Sequence, residues 1–241
     1  MREASQARSL AVVIFLLLSG GPSSALVGAD IADRTVQRFT VVVAGAKGRC
    51  SGVVLAPDIV LTAAHCVRRG ERFYVGGNLG GGYQTLPPPS LLSPVAEIVL
   101  HPLYTSRDSG SPDLAILKLA KPLPDRFIPA VLNPRSPSVG DDLIVAGYGK
   151  SAAGDSAASL VLRMVLLRVS HSIRGWVVLT SVGEDASGAG SGDSGGPVFA
   201  YRGMHSLVGL MVGVSGKQTK AVALSAHYDW IRETMRKLAA P

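Results

Sequence analysis

Three segments of the chain carry side chains that could act together on a carbonyl carbon. SGDSGGPVF, Ser191–Phe199, sets Ser194 among glycines, which let the backbone turn sharply and present its N–H groups to a ligand. A serine hydroxyl is a weak nucleophile until a base takes its proton. LTAAHC, Leu61–Cys66, offers such a base in His65, at the end of an apolar strand and beside a cysteine. PDLAILKL, Pro112–Leu119, puts Asp113 at the mouth of another apolar strand. A carboxylate there is costly to bury unless it meets a donor, and His65 could be that donor. Each segment alone is ordinary, since Asp-Ser-Gly is common loop chemistry and a lone histidine is usually structural. Taken together they supply a nucleophile, a general base and a group to orient the base, which is the equipment of acyl transfer. The other histidines, His101, His171, His205 and His227, read as surface or structural residues.

The elements that must hold these groups are strands. Short runs rich in valine and leucine recur between Gly, Pro, Asn and Asp clusters: 40–44, 52–55, 59–63, 96–100, 114–119, 143–147, 160–169, 176–181, 197–201 and 207–214. This spacing predicts an all-β sandwich or a pair of barrels. Only the C-terminal end reads as helix, with Trp230, Ile231, Thr234, Met235 and Leu238 on one face and Ser225 as the expected N-cap. Residues 121–139 hold five prolines and few strand-like runs, the best place for a linker. The 241 residues are 47% hydrophobic and 17% charged, which excludes a disordered scaffold. The net charge of +7 is dispersed without a run of like charges, so nucleic acid is not an expected partner.

The N-terminus has the layout of an export signal. Arg2 and Arg8 precede nine apolar residues, Leu10–Leu18, followed by SGGPSSA with small residues at Ser23 and Ala25. Nine residues rise only about 14 Å as a helix, too little to span a hydrocarbon core of roughly 30 Å. Residues 1–25 are therefore expected to be a signal peptide cut after Ala25, leaving a secreted or periplasmic chain. An oxidising destination favours a bridge between Cys50 and Cys66, the two cysteines of the chain. Closing that loop would contribute about 3 kcal/mol by restricting the unfolded chain. A Cys/His metal site lacks a second ligand pair at suitable spacing.

LTAAHC, DLAILKL and GDSGGP, in the order His, Asp, Ser, resemble the trypsin and chymotrypsin family of serine proteases, in a secreted form of bacterial type. The resemblance extends through CSGVVLAPDIVLTAAHC, similar to the family's first-barrel disulfide hairpin, AGYGK at 146–150, and HYDWI in its C-terminal helix. It implies two antiparallel six-stranded β-barrels with a C-terminal helix. The first, within 26–130, would carry His65 and Asp113, and the second, within 131–241, would carry Ser194, the two together forming one peptidase domain. It also implies hydrolysis of peptide bonds through an acyl-enzyme, an oxyanion hole from the N–H groups of Gly192 and Ser194, and no metal or organic cofactor. Expected partners are polypeptide substrates and protein protease inhibitors, with no nucleic acid, no membrane after signal cleavage, and a monomeric enzyme. In the family the mature terminus pairs with the aspartate before the nucleophile. LVGA, Leu26–Ala29, follows the expected cleavage directly, so export itself would generate the active terminus and pair Leu26 with Asp193.

The resemblance thins at the substrate pocket. Six positions before Ser194, where trypsin-like members carry an aspartate, stands Gly188, with Asp185 nearby. A pocket formed around Gly188, Val212 and Val214 would favour a small or apolar residue before the cut bond. The family's Ser-Trp-Gly strand, which lines the pocket, could align its serine with Val212 or with Ser215. The short stretch 169–188 leaves little room for a surface helix common in the family. The competing readings are a catalytically silent homologue acting as a binding protein, and an esterase with a Gly-x-Ser-x-Gly elbow, which the strand-rich pattern disfavours.

Overall fold

A computed structural model describes residues 30–77, 91–149, 160–182, 190, 192–202 and 206–240. The first barrel is closed by six antiparallel strands, β2 (Thr40–Gly45), β3 (Gly48–Ala56), β4 (Ile59–Thr62), β5 (Phe73–Gly76), β6 (Ser93–Leu100) and β7 (Ala115–Leu119), in the order β2-β3-β4-β7-β6-β5. The second is formed by β8 (Asp142–Gly147), β9 (Arg163–Ile173), β10 (Trp176–Ser181), β11 (Pro197–Ala200), β12 (Leu207–Ser215) and β13 (Gln218–Ala223). Its sheet runs β9-β10-β13-β12-β11-β8 and closes through pairing of β8 with β9, while the short β1 (Asp30–Ile31) adds to the outer edge of β9.

Period-two alternation builds three cores from these strands. Val41 and Val43 point into the first barrel with Val54, Val60 and Leu117. Leu143 and Val145 point into the second with Leu167, Val177 and Met211. The residues between them, Val42, Ile144 and Ala146, join Val53, Leu61, Phe199 and Leu210 in a third core where the barrels meet. Phe39 and Phe199 touch across that seam, ring centroids 5.5 Å apart. The two barrels therefore rest on one continuous apolar contact.

Several elements differ from the sequence-based expectation. A short helix, α1 (Arg34–Phe39), precedes β2; Asp33 caps it by accepting from the Val36 N–H at 2.8 Å, and it buries Val36 and Phe39. Six residues are too few to show helical periodicity. The C-terminal helix α2 spans Tyr228–Ala239 and packs Ile231 and Thr234 inward. Ser225 is not its N-cap. A 3₁₀ turn, Leu224–His227, intervenes, and the Ser225 hydroxyl instead meets Ser136 Oγ at 2.5 Å. The proline-rich stretch after β7 runs extended along both barrels, with Ala130 N–H donating to Val54 and Val131 O accepting from Leu207 N–H.

Candidate active site

His65 and Asp113 stand at the ends of two paired strands. β4 pairs with β7, Thr62 lying opposite Ala115, so the residues just beyond them meet at one rim of the first barrel. His65 sits in a 3₁₀ turn, Ala64–Cys66, and the Cys50–Cys66 disulfide ties that turn to β3. The Asp113 carboxylate grips it at two points. Oδ1 accepts from the His65 backbone N–H at 2.9 Å, and Oδ2 lies 2.6 Å from Nδ1. An ionised carboxylate can only accept, so the ring proton is held on Nδ1 and Nε2 is left as the basic nitrogen. The histidine side chain is 40% exposed and the aspartate 16%. Nε2 lies 3.7 Å from Cys66 Sγ.

Ser194 arrives from the second barrel on the turn before β11. Its carbonyl oxygen accepts from the Ser51 N–H at 2.8 Å and lies 3.8 Å from Cys66 Sγ, which brings this turn against the His65 wall. The turn is held on both sides. Gly195 N–H donates to Met211 O at 2.7 Å, and Met211 N–H donates to Gly196 O at 2.9 Å. Gly195 has φ +81°, and a Cβ there would land on Ser51 O and Thr62 Oγ1. Only glycine allows that approach of the two barrels.

Asp193 is fully buried behind the turn. Its carboxylate accepts from Gly149 N–H at 2.7 Å and Gly190 N–H at 2.9 Å. A Cβ on either Gly147 or Gly149 would collide with it, so the Ala146–Gly149 strand end is shaped around this carboxylate. Gly192, with φ +98°, directs its carbonyl to the Ser51 hydroxyl at 2.9 Å. Leu26, Gly188 and Asp185 lie outside the described residues.

The hydrogen bonds of Met211 to Gly195 and Gly196 place the next residue, Val212, beside the Ser194 turn, while Ser215 stands at the exposed end of β12 opposite Gln218. Val212 lines a cleft of about 380 Å³ with His65, Asp113, Tyr104 and Trp176. Val214 is exposed further along the strand. Trp176 reaches this cleft because β9 and β10 are joined by a two-residue turn, Arg174–Gly175, both at positive φ. Its Nε1–H donates to Gly110 O at 3.2 Å, while Lys220 Nζ donates to Ser109 O at 2.8 Å and stands 3.9 Å over the indole ring. These contacts tie the loop before β7 to the second barrel. Burial, and then the Asp113 carboxylate, push the Tyr104 phenol's pKa up, keeping it a neutral donor.

Sequence reasoning singled out neither Ser51 nor Trp176 and Lys220. Ser51 carried one signal, its place beside Cys50, but nothing in its type marked it as a cross-barrel contact. His65 lies within 4.8 Å of the sulfurs of Cys50 and Cys66, yet those sulfurs are bonded to each other and are not thiolate ligands.

A family model described as Trypsin matches residues 26–231. Phenoloxidase-activating factor 3 of Holotrichia diomphalia is 28% identical over 231 residues, covering 80% of this chain; the chain spans 66% of that relative's length. Kallikrein-15 of Homo sapiens is 29% identical over 218 residues, covering 79% of this chain and 84% of the relative. Both relatives are eukaryotic. Among solved structures, a scabies mite inactivated protease paralogue shares the fold at a TM-score of 0.68 and 23% identity, covering 87% of this chain and 99% of its own. The match over most of the chain, on two barrels that bring the His65, Asp113 and Ser194 segments to one seam, assigns this protein to the trypsin family of serine-type endopeptidases.

Proposed function

We propose that the chain is a secreted endopeptidase that cleaves peptide bonds with Ser194 as nucleophile, His65 as general base and Asp113 as the group that orients it. The observation that carries this reading is the double grip of Asp113 on His65, at 2.6 Å and 2.9 Å. It fixes both the tautomer and the ring plane, which a base needs before it can take a hydroxyl proton. Ser194 Oγ then attacks the acyl carbonyl as its proton passes to His65 Nε2. The imidazolium returns that proton to the leaving amine, releasing it and leaving the acyl-enzyme, and water repeats the cycle. The N–H groups of Gly192 and Ser194 are the candidate oxyanion donors, each worth about 2.7–4 kcal/mol in the transition state.

Export is supported by the signal layout of residues 1–25, and no described helix is long and apolar enough to cross a membrane. A proteinaceous inhibitor would enter the same cleft as a substrate.

The test is intact-mass measurement of the exported protein before and after an organophosphonate that labels activated serines. One adduct, absent from Ser194→Ala, is expected. A correctly folded protein that takes no adduct would overturn the peptidase reading in favour of a silent homologue that binds its partner.

A further inference from the structure

Asp113 has to be held still if it is to orient His65, yet little holds its side chain. The carboxylate accepts from the His65 backbone N–H at 2.9 Å and meets His65 Nδ1 at 2.6 Å, and among the described residues no other hydrogen-bond donor reaches it. Both contacts come from the residue that the carboxylate is there to orient. Val212 lines the same cleft, but a valine side chain has no donor to offer. The position of Asp113 is therefore set through its backbone, by the loop between β6 and β7 that leads into it.

That loop is tied into one piece. The buried Ser111 hydroxyl accepts from the Thr105 N–H at 3.1 Å and lies 2.8 Å from the carbonyl oxygens of Thr105 and Asp108, while Asp108 Oδ1 accepts from the Gly110 N–H at 2.8 Å. Pro112, with its fixed φ, and the Leu114 N–H, which donates to Pro112 O at 3.0 Å, stiffen the step from Ser111 to Asp113. Such a loop moves as a body, so whatever anchors it decides where Asp113 sits. The anchors belong to the second barrel. Val178 stands opposite Lys220 in the β10–β13 ladder, which puts Trp176 and Lys220 on one face as diagonal neighbours, with Val177, Leu179 and Ala221 turned the other way into the barrel core. From that face the Trp176 Nε1–H donates to Gly110 O at 3.2 Å and Lys220 Nζ donates to Ser109 O at 2.8 Å, the ammonium lying 3.9 Å from the centroid of the indole ring.

We infer that Trp176 and Lys220 are positioning residues: by holding Ser109 and Gly110 they fix the Asp113 carboxylate against His65. The pair on the first barrel then depends on the barrel that carries Ser194. The inference rests on the peptidase reading above for its effect on rate, and on the hydrogen bonds alone for its effect on the His65 N–H. A displacement of about 1 Å can lower a rate about a hundredfold, and loss of one of the two ties is expected to cost about tenfold.

The test compares Lys220→Met, which keeps the aliphatic stem and removes the donor, with Lys220→Arg, which restores one, and with Trp176→Phe, which keeps a ring but not the N–H. Amide hydrogen exchange on the exported protein reads the position of the carboxylate directly. The His65 N–H, held by Asp113 Oδ1, should exchange about tenfold faster in Lys220→Met and in Trp176→Phe, and close to the wild-type rate in Lys220→Arg. The strand amides of β4 should keep their protection, whereas a general loss of stability would speed all of them together. The second measurement is the rate at which a small organophosphonate labels Ser194. It should fall about tenfold in Lys220→Met and be unaffected by the same substitution made on Asp113→Ala, because two changes that act through one carboxylate do not add. Unchanged His65 exchange, an unchanged labelling rate, or a loss that persists without the Asp113 carboxylate overturns the assignment. If the wild type takes no label, the peptidase reading falls and the exchange of the His65 N–H decides the positioning by itself.

Discussion

The Ser51 hydroxyl does two jobs at the seam of the barrels. It donates to Gly192 O at 2.9 Å and accepts from Tyr148 N–H at 2.9 Å, while the Ser51 N–H holds the carbonyl of Ser194. The residue is fully buried, so nothing replaces the hydroxyl if it is removed. Ser51→Ala leaves a backbone donor and a backbone acceptor unpaired, at a cost of about 1–3 kcal/mol in stability. It also frees the Gly192 carbonyl, on the residue whose N–H is one of the two candidate oxyanion donors. The expected result is a lowered urea midpoint together with a kcat reduced about tenfold at nearly constant KM. A variant that loses stability but keeps its full kcat would confine Ser51 to a structural role. Glycine at 195 is constrained by the same contact, because the Ser51 carbonyl occupies the space a Cβ would need.

At the scale of elements, the docking of α2 on the first barrel carries a titratable lock. His101, buried after β6, accepts from Leu103 N–H on Nδ1 at 3.2 Å; its remaining proton on Nε2 is therefore donated to His227 Nδ1, also at 3.2 Å. Trp230 of α2 packs on the His101 ring with centroids 4.6 Å apart, and the two imidazoles meet edge to face at 4.8 Å. Burial, and then the neighbouring His227, lower the His101 pKa from 6.5 to about 4; burial lowers that of His227 as well. The neutral pair is thus favoured in the fold, and the unfolded chain takes up protons first as the pH falls. This contribution is complete above about pH 6.5, is lost between there and about pH 4, and amounts to about 2 kcal/mol. Urea unfolding at pH 7.5 and pH 4.5 should show the loss, and His101→Gln should flatten it. Parallel pH profiles for the two proteins would exclude this source.

On the proposed mechanism the two barrels act only when docked, since His65 and Asp113 come from one and Ser194 from the other. The seam carries an apolar core, the Ser51 contacts and the Trp176–Lys220 ties, so activity and global unfolding should be lost together. A second molecular condition concerns the chain terminus. The Asp193 carboxylate is buried under the Ser194 turn, where an incoming ammonium would act directly on the geometry of Gly192 and Ser194. We expect that one residue added before Leu26 costs most of the activity, as read by turnover and by organophosphonate labelling of the extended protein. Full activity in that variant would separate catalysis from the terminus.

The local patterns in the chain were enough to identify the chemistry and the fold class. Three short motifs in order, alternating apolar runs and an amphipathic C-terminal segment are properties of neighbouring residues, and neighbouring residues are what a sequence displays. Ten of the strands were visible for that reason, whereas α1, β1, β5 and β13 were not: α1 and β1 hold too few residues for a period to repeat, β5 runs directly into a glycine cluster, and β13 opens on the polar Gln218, Thr219 and Lys220. The identity of the helix cap was also hidden, since Ser225 has the right type but is claimed by Ser136 from a distant part of the chain. Only the tertiary structure decided which residues meet across the seam. Strand register placed Val212 beside the Ser194 turn and Ser215 at the exposed end of β12, a two-residue turn delivered Trp176 to the cleft beside His65, and closure of the first barrel gathered Lys47, Arg49 and Arg68 beside the disulfide. Each of these follows from long-range pairing of strands, which no single stretch of residues specifies by itself.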